Sequence, residues 1–314
     1  MTTQLQTMGD MKGLRDEPLS DALLKAVSRS FYLSMAFLPK PMRRGIALGY
    51  LLARATDSVA DTSTADSQRR EAVLRAMGRS VAAHDAVEGE ESLLADLAGA
   101  MAEAQQKPSE AELLRRFGDC LSALRALPEG EAMLVRQVLA TIIEGQIWDI
   151  TYFRTQQSVS CDEETRQYTY SVAGCVGEFW TRLGVLTLGR DFCEPDRLEL
   201  MVEAGVRYGR GLQLINILRD RGEDEQRGRR YLCSDPVKWM DRAERYLRDG
   251  LDYSRRLRRF SLRFASMLPA LIGLKTLRQI RSSSPGERVK IPRREVYASM
   301  LRALWISAVG RVDR

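Results

Sequence analysis

The sequence predicts an all-α protein, a single-domain helix bundle with a central cavity, and three features of the chain carry that expectation. Its 10 prolines stand between long amphipathic stretches, where helices should stop or start. Apolar and polar residues nowhere alternate as they do in strands, and no strand–glycine-loop–helix unit occurs. Hydrophobic residues make up 44% of the 314, enough for a sizeable core and too many for a disordered chain.

The elements follow in order. Residues 1–19 are polar, lack the apolar stretch of a secretory signal, and are expected to form a flexible segment ahead of a helical domain over 20–314. A first helix should start at Ser20, an N-cap residue, carry Leu23, Leu24, Val27 and Phe31 on one face, and end before Pro39. A second spans about 41–61. Amphipathic helices follow at 66–85, 90–106 and 109–126, then a long one at 129–153, then 162–188 and 194–221. The stretch 222–234, with Gly222, Gly228 and several arginines, reads as a loop. Helices at 236–268, 269–282 and 292–309 complete the chain, with a linker at Ser282 to Gly286.

Charge and rare residues narrow the chemistry. The net charge of +6 favours polyanionic partners: nucleic acid, anionic lipid or phosphorylated small molecules. Five cysteines without a CxxC pair argue for reduced thiols in a cytosolic compartment and against a thiolate zinc site. The single histidine, His84, excludes any mechanism built on a histidine dyad or a His-rich metal site. No run of 18 apolar residues appears, so no membrane span is expected.

Functional residues concentrate at the ends of two apolar helices. Gly45 to Ala53 is nearly all apolar or small, and it runs into Arg54, Asp57 and Asp61. The two aspartates are spaced i, i+4 and share one helix face. Like charges so placed repel unless a cation sits between them, and Mg²⁺ takes one or two carboxylates together with substrate phosphates. Such a pair alone is common on solvated faces. The second cluster is more specific. An apolar run from Tyr208 leads to Arg219 and Asp220, with Asn216, Asp220 and Asp224 at successive i+4 steps and Glu223 one place off. Three oxygen-bearing side chains in register fit a hard cation; a charged helix end with a polar ladder is the plainer alternative. Together the clusters suit a diphosphate, because metal neutralises part of its charge and arginines bind the rest bidentately. That assists a leaving group without histidine or nucleophile.

At these residues the chain resembles the squalene/phytoene synthase family, all-α enzymes of the isoprenoid-synthase type that join two prenyl diphosphates head to head. The resemblance runs over about 20–295. Ser28-Arg29-Ser30-Phe31 is similar to the family's opening substrate-binding motif. Tyr50, Arg54, Asp57 and Asp61 look like its first aspartate motif, and Tyr168 to Gly177 like its Tyr…Val-Ala-Gly helix. Asn216 to Asp224 resembles the second aspartate motif, and Gly228-Arg229-Arg230-Tyr231-Leu232 the loop after it. The resemblance implies Mg²⁺ at Asp57, Asp61, Asn216, Asp220, Glu223 and Asp224. It implies diphosphate contacts from Arg29, Ser30, Phe31, Tyr50, Arg54, Asn216, Arg229 and Arg230, and catalytic roles for Tyr168, Tyr170, Arg54 and Arg219.

Val289-Lys290-Ile291 is similar to a squalene synthase segment that contributes to NADPH binding, which implies Lys290 and Arg293, with Arg29, Arg54 and Arg219, as cofactor contacts. Ser58, where carotenoid-type relatives carry a second aspartate, points the same way. Two positions depart from the pattern: Ala60 stands where squalene synthases often have Glu, and Pro292 where an Arg is common. The implied reaction takes two farnesyl diphosphates through presqualene diphosphate to squalene, with hydride from NADPH. Tyr170 or Tyr168 would handle the proton lost on cyclopropane closure, although a neutral phenol is a poor base unaided. Phytoene or dehydrosqualene synthesis, or a product without NADPH, are the alternatives within the family. A basic helical protein binding nucleic acid or lipid without catalysis is the alternative outside it. That reading explains the charge but not two carboxylate clusters on apolar helices, so no nucleic-acid partner is expected. The arginine run from Arg242 to Arg263 reads first as a solvated face, and alternatively as a peripheral contact with anionic membrane; with the reduced thiols this implies a cytoplasmic location, at the inner membrane surface where that contact forms.

Overall fold

Helix starts and stops in this chain follow local chemistry. In the computed structural model, which describes residues 21–28, 31–86, 89–284 and 286–309, Asp66 accepts from Arg69 N at 2.8 Å and Asp235 from Val237 N at 2.9 Å as N-caps. Pro41, Pro108 and Pro236 occupy first turns, where a missing N–H costs nothing. The helices are α1 (Asp21–Ser28), α2 (Phe31–Ala36), α3 (Lys40–Ala60), α4 (Ser67–Ala82), α5 (Glu90–Glu103), α6 (Pro108–Arg115) and α7 (Phe117–Arg125). Then come α8 (Glu129–Tyr152), α9 (Asp162–Thr169), a π-turn (Tyr170–Gly174), α10 (Cys175–Leu188), α11 (Leu198–Gln226), α12 (Pro236–Arg256), α13 (Phe260–Ser282) and α14 (Arg293–Val309). The protein is all-α: among the described residues only one isolated bridge, Ser158 with Arg230, breaks the helical pattern. Ser20, Arg29, Ser30, the segment 1–19 and Pro285 lie outside the described residues, as does the side chain of Phe31.

The boundaries differ from the sequence reading in four places. The first expected helix is two, α1 and α2. The 109–126 helix breaks at Arg116 (φ −95°, ψ 15°). α11 runs on to Gln226 instead of stopping at 221, so Gly222 is helical. A Cβ at Gly222 would lie 2.3 Å from the Gly286 carbonyl oxygen; glycine is there to admit the returning chain, not to make a loop. The break expected at Pro269 falls at Leu257 instead, and Pro269 sits inside α13. The buried Arg263 guanidinium fixes that corner by donating to the carbonyls of Leu257 (2.9 Å), Arg258 (2.7 Å) and Ser307 (2.9 Å).

One large core joins α1, α3, α4, α8 and α10, and a second joins α11, α12 and α13. The two halves meet where α10 and the π-turn cross α11. There a Cβ on Gly177 would lie 2.0 Å from Gly205 O, and one on Gly209 would lie 2.1 Å from Ala173 O. The paired glycines thus serve close backbone packing. α13 is long and apolar enough to cross a membrane by length and composition, but 67% of its most apolar stretch is buried in the protein, as befits a core helix. α14 packs on its outer side.

Candidate active site

α3 delivers its polar groups to the bundle interior. Gln146 Nε2 of α8 donates to Asp57 Oδ1 at 2.6 Å, and Arg54 Nη1 stands 3.8 Å from Asp57 Oδ2. The main bond of Arg54 goes elsewhere, to Glu110, which also accepts from Lys107 Nζ at 2.9 Å. Asp57 is therefore short of positive charge. Burial, then the Asp61 carboxylate, push its carboxyl up to about 7 against the pull of Arg54 and Gln146. Asp61 is raised by burial too, although Arg54 and Arg229 oppose it. The Asp57 side chain keeps 48% of its surface accessible while densely surrounded by protein, which is how a group on a cavity wall behaves.

α11 presents the second motif differently. Because the helix continues through Gln226, Asn216, Asp220 and Asp224 share one face without a break. Arg219 grips Asp220 with both ends, Nε to Oδ1 at 2.9 Å and Nη2 to Oδ2 at 2.5 Å. Arg288 binds Glu223 at 2.7 Å and stands 3.6 Å from Asp220. Among the described residues Asp224 has no such ion pair, and burial followed by Asp220 pushes its carboxyl up to about 6. Asn216 is exposed and donates to Gln213 at 3.3 Å.

The loop after α11 joins the two motifs. Gly228 adopts φ 74°, and Arg229 N donates to Asp224 O at 2.8 Å, so the chain folds back over the helix end. Arg229 Nη1 then reaches Asp149 Oδ2 of α8 at 2.7 Å, and Tyr231 OH donates to Asp149 Oδ1 at 2.6 Å. Asp149 is only 8% exposed. Burial raises the carboxyls of Asp61, Asp149 and Asp224, and the same guanidinium opposes that rise at all three. Arg229 thus acts on a carboxylate of each aspartate motif. Tyr168 closes the cluster, stacked on Tyr231 with centroids 4.9 Å apart, its phenol pushed well up by burial and by Asp149.

Of the other expected residues, Arg230 lines a small cavity with Asp224 and Arg229, and Tyr50 acts on Arg54. Tyr170 donates to Glu178 at 3.3 Å and has Arg210 over its ring at 5.3 Å, away from the Arg229 cluster. Tyr50 donates to Val27 O at 3.2 Å. Arg230, Lys290 and Arg293 are exposed, and it is Arg288 that reaches the second motif from the C-terminal segment. Sequence reasoning overlooked Gln146, Asp149, Glu110 and Arg288, and placed Tyr231 in the loop motif without a role. Gln146 and Asp149 were findable: they are spaced i, i+3 inside the apolar α8, the same signal that marked α11.

Metal fit rests on the donor set. Among the described residues no group of three or more His, Cys, Asp or Glu side chains is close enough to hold an ion alone. Mg²⁺ does not require that, since substrate phosphates complete its shell. The raised carboxyls mark where positive charge is missing. Gln146 Oε1 and Arg54 Nε, both buried beside Asp57, have no hydrogen-bond partner among the described residues. Asp57, Asp61, Asn216 and Asp224 offer the hard oxygens the ion needs, whereas Asp220 is already engaged by Arg219 and Glu223 by Arg288.

Residues 24–238 match the family model described as squalene/phytoene synthase. The chain belongs to this family. Among curated squalene/phytoene synthase relatives, the 15-cis-phytoene synthase of Synechocystis sp. is 30% identical over 230 residues, 73% of this chain and 58% of that protein. A bifunctional lycopene cyclase/phytoene synthase of Phaeosphaeria nodorum is 28% identical over 74% of this chain and 36% of its own. A probable squalene synthase of Neurospora crassa is 29% identical over 66% and 40%. The chain thus spans between about a third and three fifths of these relatives. The structure of TcSQS with the ligand E5700 superposes with a TM-score of 0.69 at 20% identity, covering 93% of this chain and 89% of that one. The all-α isoprenoid-synthase fold expected from the sequence is the fold observed.

Proposed function

We propose that the protein is a Mg²⁺-dependent head-to-head prenyl diphosphate synthase, and within the family a squalene synthase acting on two farnesyl diphosphates. The observation that carries the reading is Arg229, held by Asp149 and shared by Asp61 of one motif and Asp224 of the other. A diphosphate entering between the motifs meets this arginine together with Arg54 and Arg219. Those guanidinia orient it and take up the charge that grows as the carbon–oxygen bond breaks. Mg²⁺, when bound, would add the charge neutralisation that the aspartates call for. Tyr168, beside Asp149 and Arg229, is better located than Tyr170 to relay a proton to the departing diphosphate, its neutral phenol giving up its own proton to the diphosphate as it takes the substrate's.

Ser58 beside Asp57 supports squalene over phytoene synthesis. Exposed Lys290 and Arg293, following the segment that packs on Gly222, offer cationic contacts for the phosphates of NADPH. The phytoene synthase reading is favoured by the 30% identity to the Synechocystis enzyme. Incubation with farnesyl diphosphate and Mg²⁺, with and without NADPH, separates them: squalene formed only with NADPH supports the proposal, and a C40 product from geranylgeranyl diphosphate overturns it. The same reading has the protein cytoplasmic and peripheral at the inner membrane surface. Tyr297, Leu301, Trp305 and Val309, each 62–68% exposed, line one face of α14, a helix that also exposes Arg294 and Arg302, as in helices that lie on anionic lipid. Co-sedimentation with anionic vesicles but not neutral ones is the expected result.

A further inference from the structure

The loop after α11 and the chain entering α9 run side by side and bring two exposed thiols together. Residues 158 and 230 pair in parallel: Val159 N donates to Arg230 O at 2.9 Å, and Arg230 N to Gln157 O at 3.0 Å. Cys161 and Cys233 each come three residues after the bridged positions 158 and 230. Side chains hold that alignment past the bridge. Asp162 Oδ1 accepts from Cys233 Sγ at 3.3 Å and from Ser234 Oγ at 2.7 Å, while Lys238 Nζ donates to Asp162 Oδ2 at 2.8 Å. Thr165 Oγ1 donates to Tyr231 O at 2.7 Å. Cys161 is close enough to Cys233 to act on its thiol electrostatically. Both are free and exposed, whereas Cys120, Cys175 and Cys193 are buried.

We propose that Cys161 and Cys233 form a reversible intramolecular disulfide when the protein meets a two-electron oxidant such as a peroxide. The Cys161 sulfur attacks one peroxide oxygen; the O–O bond breaks and the other oxygen leaves as water or alcohol with the Cys161 proton. The Cys233 sulfur then attacks the sulfenic sulfur of Cys161. The S–S bond forms, the S–O bond breaks, and the hydroxide leaves as water with the Cys233 proton. Two thiols are oxidised and one peroxide is reduced. Cys233 is the resolving partner because burial and Asp162 push its thiol up. The bond fastens the start of α9, which leads to Tyr168, onto the loop that carries Arg229 and Tyr231. It is a redox lock on one wall of the candidate site, and it stands whatever the substrate proves to be.

The full chain, treated with hydrogen peroxide, alkylated and digested without reduction, should yield a peptide linking Cys161 to Cys233. Of the five thiols, two should disappear and return with dithiothreitol. The oxidised protein should melt several degrees higher than the reduced one, and C161S and C233S should each abolish the shift. Separate sulfenic or sulfinic products at the two positions, a link between two copies of the chain, or no loss of thiol at millimolar peroxide would each overturn the proposal.

Discussion

The two aspartate motifs carry similar sequences and opposite electrostatics. On α3, Asp57 has an amide for its close partner, and its nearby arginine is drawn off to Glu110. On α11, Arg219 and Arg288 already neutralise Asp220 and Glu223, leaving Asp224 as the raised carboxyl. Cation demand is therefore concentrated at Asp57 and Asp61 on one side and Asp224 on the other, with Arg229 between. A motif's letters do not reveal which of its carboxylates are free to bind a metal; the arginines around them decide it.

Substitutions should separate the halves. Asp57→Asn or Asp220→Asn should each lower turnover by at least about 10²–10³-fold with helical circular dichroism unchanged. Their effects on the metal-free protein should differ in sign. Asp57→Asn removes an unneutralised charge and should raise the melting temperature, whereas Asp220→Asn leaves Arg219 and Arg288 short of an anion and should lower it. Equal shifts would erase the contrast between the motifs.

Arg229→Ala should be the most destabilising single change at the site. It leaves the nearly buried Asp149 without its cation, a loss of about 3–5 kcal/mol in urea unfolding. A change near zero would mean that Arg229 does not tie the halves together.

The metal-free protein should also respond to pH with a definite sign. Asp57 at about 7 and Asp224 at about 6 bind protons more tightly folded than unfolded, where carboxyls titrate near 4. Stability should therefore fall as pH rises from about 5 to about 7. Asp162, held below the ordinary carboxylate range by Lys238 and Ser234, contributes oppositely, but its contribution is lost only at lower pH. Millimolar Mg²⁺ with pyrophosphate should flatten the slope, and a slope unaffected by them would contradict the metal fit. The smallest contrast is between tyrosines: Tyr168→Phe should slow turnover by about 10²-fold, while Tyr170→Phe should leave it close to wild type.

Much of this was legible in the sequence. Polar residues ending apolar helices gave away both motifs, because only a site justifies burying such groups. What stayed hidden depended on chain segments far apart in sequence. Gly222 looked like a loop residue because the approach of Gly286 is invisible locally. Pro269 looked like a helix end, while the real corner is fixed by Arg263 reaching the end of α14. Tyr168 and Tyr170, two places apart on a helix, face different ways, but which of them meets the site depended on Tyr231, which arrives about 60 residues later. Asp149 was legible as a polar residue beside Gln146 in the apolar α8, but its role was not, because its partners arrive about 80 residues later.

Calorimetric titration of inorganic pyrophosphate with Mg²⁺ into the wild-type protein, Asp57→Asn and Asp220→Asn tests most directly whether the two motifs form one diphosphate site. Binding that weakens about tenfold or more in both variants is the expected result. Wild-type affinity in either variant would contradict it.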